Sequence, residues 1–91
     1  MEITKVNESY NITDKTDLGW SLSGSVYSET SGSLNINAEV YNELGEHIGS
    51  MSYYKPLEGK VNFSINVNES NRDDFSNYAD TVVDTVLKKF E

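Results

Sequence analysis

His47, the sole histidine, follows Glu46 directly and lies four residues after Glu43, and this trio is the one place where acid–base chemistry could be assembled. An imidazole that moves protons needs an orienting carboxylate and an enclosed, poorly hydrated setting that tunes its pKa. The trio instead brackets Leu44-Gly45, the sequence of a hairpin tip, where water is close on every side. No cysteine is present, which removes disulfides and thiolate metal sites, and zinc or haem would need a set of ligands made of carboxylates alone. Serine is abundant, but no G-x-S-x-G elbow and no phosphate-binding loop occurs. Four N-x-[ST] triplets, at Asn7, Asn11, Asn62 and Asn68, fit chance in an Asn- and Ser-rich chain. The reading is a protein that is not an enzyme and uses no cofactor.

What remains is the chemistry of carboxylates. Fifteen acidic residues against seven basic ones give a net charge of −8 over 91 residues. That balance argues against direct nucleic acid binding, which rests on neutralising phosphates, and makes a basic protein the natural partner. The residues after Met1 form no apolar leader, and no run approaches twenty apolar residues, so the expectation is a soluble protein with no membrane association, cytoplasmic in a bacterial host. Whether the carboxylates act together depends on the elements that carry them.

The strongest periodicity closes the chain. Phe75, Tyr78, Ala79, Val82, Val83, Val86, Leu87 and Phe90 recur in three- and four-residue steps, which predicts an amphipathic helix over about 71–90. Ser70 and Asp73 read as a capping box, and Asp73, Asp74, Lys88 and Lys89 complement the helix dipole. Upstream, the period is two. Strands are expected at about 3–13, 18–28, 33–42, 47–54 and 61–68, the first as an edge strand with a possible bulge. A three-residue loop at Glu43-Leu44-Gly45 sets Val40 opposite Ile48 and Tyr41 opposite His47, which turns Ile48 inward and Met51 and Tyr53 outward. Short loops throughout make this a five-stranded antiparallel meander with the C-terminal helix on one face, a single two-layer α+β domain.

A meander fixes which loops share an end. The first and third turns and the start of the helix fall together, collecting Asp14, Asp17, Glu43, Glu46, Glu69, Asp73 and Asp74 against Lys15 and Arg72. The other end holds Glu2, Glu29, Glu58 and Glu91 against Lys55, Lys60, Lys88 and Lys89. Asp80 and Asp84 extend the acidic set along the helix, Asp73 to Asp80 to Asp84 rising in steps of about 10 Å and about 6 Å. A concentrated negative field of this kind speeds encounter with a cationic partner. Turn and cap chemistry would also account for several of these acids. A second candidate interface is the uncovered sheet face, where Tyr27, Tyr41, Met51 and Tyr53 are expected among serines and asparagines.

With Asp14, Asp17, Glu43, Glu46, Asp73, Asp74, Asp80 and Asp84 in view, the chain resembles the small, acidic, cysteine-free inhibitors encoded by phages and mobile elements of Gram-positive bacteria, the type II-A anti-CRISPR proteins above all. The resemblance lies in size, charge and general architecture. It implies a stoichiometric inhibitor whose partner is a basic nuclease such as Cas9 with its guide RNA, blocked by carboxylates that occupy the place of DNA phosphates. The competing expectation is a phage structural or assembly module that pairs through the Tyr-bearing face or an edge strand. A third is a binder of small ligands or carbohydrates that uses Tyr27, Tyr41 and Tyr53 with the surrounding asparagines.

Overall fold

In the computed structural model, which describes residues 1–6, 9–29 and 32–90, six strands form one antiparallel sheet and a single long helix covers one face of it. The strands are β1 (Glu2–Val6), β2 (Ser9–Lys15), β3 (Ser21–Ser28), β4 (Leu34–Tyr41), β5 (His47–Lys55) and β6 (Asn62–Val67). A 3₁₀ turn (Glu69–Asn71) leads into α1 (Arg72–Phe90). Sheet order follows chain order, β1-β2-β3-β4-β5-β6, so the α+β meander stands, with one strand more than the sequence predicts. The expected first strand at 3–13 is two: β1 folds back on β2 with Glu2 opposite Thr13 and Val6 opposite Ser9. Residues 7–8, which that expectation spanned, lie outside the described residues.

This extra strand moves one charge. Glu2 belongs with the first and third predicted turns and not with the opposite end, because β1 runs back towards the loop that follows β2. The helix also starts differently. Ser70 sits inside the 3₁₀ turn and does not cap α1, and the turn is closed by the Asn71 amide donating to the Asn68 carbonyl at 3.0 Å.

One apolar layer binds helix to sheet. Alternate residues of the central strands, among them Ile12, Leu22, Val26, Ile36, Ala38 and Val40, are buried against Phe75, Ala79, Val82, Val83 and Val86 of α1. Each fully buried side chain of this kind contributes about 1.5–3 kcal/mol of transfer free energy, which is what fastens a helix otherwise marginal in water. Ring contacts fix its ends. Trp20 lies 6.1 Å from Phe75 and 6.5 Å from Tyr78 near the helix start, and Tyr10 lies 4.8 Å from Phe90 near its finish.

β5 corrects the expected facing. Tyr41 pairs with His47 as anticipated, but Val40 pairs with Gly49, leaving Ile48 as an extra residue in a bulge. Because side chains alternate, one inserted residue reverses every facing beyond it. Met51 and Tyr53 therefore point inward, at 3% and 8% exposure, Tyr53 packing edge-on against Phe63 at 5.7 Å. Gly49 passes beneath Phe75, where a Cβ would meet the ring at 3.0 Å.

Candidate functional site

Two turns of nearly the same sequence stand side by side at one end of the sheet. Thr16-Asp17-Leu18-Gly19-Trp20 joins β2 to β3, and Asn42-Glu43-Leu44-Gly45-Glu46 joins β4 to β5. In each, the first residue's carbonyl accepts from the glycine amide at 3.0 Å and its amide donates to the fifth residue's carbonyl, at 2.9 and 2.8 Å. In each the glycine holds a positive φ, +82° at Gly19 and +80° at Gly45, a conformation glycine reaches without steric cost. The first side chain then secures the loop: Thr16 Oγ1 accepts from the Trp20 amide at 3.2 Å, and Asn42 Oδ1 accepts from the Leu44 and Glu46 amides at 2.9 Å.

The result is a pair of tips, each presenting an acid and then a leucine. Leu18 is 57% exposed and Leu44 83% exposed, as loop residue Leu57 is too, whereas Leu22 and Leu34 on the strands are buried. The β3–β4 pairing of Ser21 with Tyr41 brings the two loops together, and the Glu43 side chain lies over Gly19. Glu69, Asp73 and Asp74 arrive at the same end with the start of α1 and are exposed. Asp17, Glu43 and Glu46 are exposed as well. Among the described residues, no ion pair joins any of these six to Lys15 or Arg72. The pole foreseen from the sequence is thus brought together by the fold.

Asp14 departs from it. Its Oδ2 accepts a hydrogen bond from the Tyr78 hydroxyl at 2.8 Å, and its Oδ1 lies 3.4 Å from the terminal ammonium of Met1. Its side chain is only 21% exposed, so this carboxylate is committed within the fold. Burial above all, then the hydrogen bond and negative charge of Asp14, hold the Tyr78 phenol far above its usual range. Asp80 and Asp84 are exposed but lie farther along α1, not at the pole.

The acid–base trio does not assemble. His47 turns to Glu39 on the open face of the sheet and packs edge-on to Tyr41 at 5.5 Å, Glu43 leans across Gly19, and Glu46 accepts from Asn42 Nδ2 at 3.2 Å. Among the described residues, no group of three or more His, Cys, Asp or Glu side chains is arranged to hold a metal ion.

The open face is a field of short polar side chains. The cross-strand row Thr4, Asn11, Ser25, Asn37, Ser52 and Ser64 spans all six strands. Tyr27 and Tyr54 stand exposed on either side of Asn35 in a neighbouring row. Tyr54 takes the place the sequence reading gave to Tyr53, and Tyr41 is half-buried. Sequence reasoning also passed over the duplicated acid-Leu-Gly tips, whose signal was the recurrence of Asp17-Leu18-Gly19 as Glu43-Leu44-Gly45.

These features define a two-layer α+β fold with an acidic, leucine-tipped end. No protein-family model, curated protein or solved structure matches the chain.

Proposed function

We propose that this protein is a stoichiometric inhibitor that binds a basic, nucleic-acid-handling enzyme through its acidic end, Cas9 with bound guide RNA being the partner that its resemblance to anti-CRISPR proteins suggests. The paired tips carry this reading. Leu18 and Leu44 offer apolar anchors for shallow pockets, and Asp17, Glu43, Glu46, Glu69, Asp73 and Asp74 give the same end of the sheet its charge. Apolar anchors within a charged rim combine affinity with steering, which carboxylates alone do not. Competition with DNA follows from charge, since the same cationic groups on the enzyme would be shared.

Asp14 has no part in contact, being occupied by Tyr78 and the amino terminus. Assembly through the tyrosine face loses support, because Met51 and Tyr53, two of its four expected side chains, are buried.

The test is inhibition of guide-loaded Cas9 cleavage by the purified chain. A variant with Asp17, Glu43, Glu46 and Asp74 changed to lysine should fold and fail to inhibit, Leu18→Ala with Leu44→Ala should weaken binding at least about tenfold, and raising salt from about 50 to about 300 mM should weaken it comparably. Undiminished inhibition by the charge-reversed variant rejects the proposal.

A further inference from the structure

We infer that the free edge of β6, with the groove between β6 and α1, is a second binding site that takes an extended cationic peptide segment as a seventh strand. Among the described residues β6 is last in the sheet and pairs only with β5, so its outward N–H and C=O groups have no sheet partner there. Sheet edges are ordinarily guarded by charge, proline or a bulge. β6 reads Asn-Phe-Ser-Ile-Asn-Val, with neither charge nor proline, and runs against β5 in unbroken register. The other edge, β1, carries Glu2 and Lys5.

The face of β6 that looks towards the helix is incompletely covered. Phe63 is 40% exposed although it packs on Tyr53, and Ile65 and Val67 are half-buried. α1 leaves a groove of about 200 Å³ lined by Phe63, Ile65, Ser76 and Asp80. A strand added to β6 would direct alternate side chains into that groove while its backbone completed the ladder.

Charge selects the occupant. Asp73, Asp80 and Asp84 are spaced by seven and four residues, so a 3.6-residue period sets them on one stripe of α1, all exposed, with Asp80 at the groove itself. A second copy pairing β6 with β6 would bring two such stripes and two chains of net charge −8 together. Repulsion opposes that arrangement. The same stripe attracts a segment with lysine or arginine on the side facing the helix. Apart from Asp73, which also stands at the acidic end, this site is separate from the leucine tips and stands whether or not they bind the proposed enzyme.

The test is titration of isotope-labelled protein with a blocked octapeptide of alternating valine and lysine, read by amide shifts and hydrogen exchange. Saturable shifts should centre on Asn62–Val67, Ser76 and Asp80, with slowed exchange at β6 amides. N-methylation of the peptide's pairing edge should abolish them, and Asp80→Lys with Asp84→Lys should weaken binding about tenfold, leaving the spectrum of the core unchanged. Shifts confined to Asp17, Glu43 and Glu46, or none at about millimolar peptide, would overturn the inference. So would a sedimenting dimer whose β6 amides are protected before peptide is added, since a second copy would then own the edge.

Discussion

Tyr78→Phe removes one oxygen and tests both the anchoring of α1 and the exclusion of Asp14 from the binding surface. The lost hydroxyl donates to Asp14 Oδ2 at 2.8 Å beside Trp20, and a hydrogen bond to a charged acceptor is worth about 1.5–3 kcal/mol net. Asp14 would keep the Met1 ammonium at 3.4 Å, so the low end applies, a loss of about 1.5 kcal/mol or a Tm lowered by about 6–12 °C for a domain of this size. Alkali supplies the sharper readout. The folded state raises the phenol's pKa, so it holds the proton more tightly than the unfolded chain does. That stabilisation is complete below the unfolded phenol pKa of about 10 and falls above it by up to about 1.4 kcal/mol per pH unit. Urea denaturation followed by Trp20 fluorescence from about pH 7 to about pH 11 should show wild type losing its advantage over Tyr78→Phe above about pH 10. Equal stability at neutral pH, with parallel curves into alkali, would refute the reasoning. Asp14→Asn should leave partner binding unchanged.

Two further outcomes follow from β5. Deleting Ile48 removes the bulge and restores regular alternation between His47 and Gly49, so Met51 and Tyr53 should stay inside, at a loss of about 1–2 kcal/mol from the half-buried isoleucine. Retention of the Tyr53–Phe63 contact in nuclear Overhauser spectra checks it, and an exposed Tyr53 would contradict it. Gly49→Ala would place a Cβ 2.6 Å from the Asn66 carbonyl oxygen and 3.1 Å from Val67 Cβ, as well as against Phe75, so chemical denaturation should show a loss of about 1–3 kcal/mol.

Where hydrophobic period and turn chemistry agreed, the fold was legible from residues alone. The stripe from Phe75 to Phe90 and the alternation of Leu34, Ile36, Ala38 and Val40 have one solution each, and Gly45 marked its turn. β1 and β2 are parted by neither glycine nor proline in the sequence, so the stretch read as one continuing strand. In β5 the loop at Gly45 set a regular register with Ile48 inward, and only the ladder shows the bulge before Gly49 and hence the inward facing of Met51 and Tyr53. The acidic end survived both errors, since the single added strand precedes Asp14 and leaves the later turns where they were, while Glu2 changes ends. Commitment of Asp14 to Tyr78, sixty-four residues away, has no local signal at all.

The order of the sheet also bears on how the chain is born. Every strand pairs with its immediate successor, so each hairpin can zip as it emerges, without waiting for a distant segment. The helix is the exception, since it follows all six strands and supplies the cover for their apolar side. A ribosome that has released β6 but still encloses α1 therefore holds a sheet with one greasy flank bare, which makes the nineteen residues of α1 an interval in which nascent chains are prone to stick to one another.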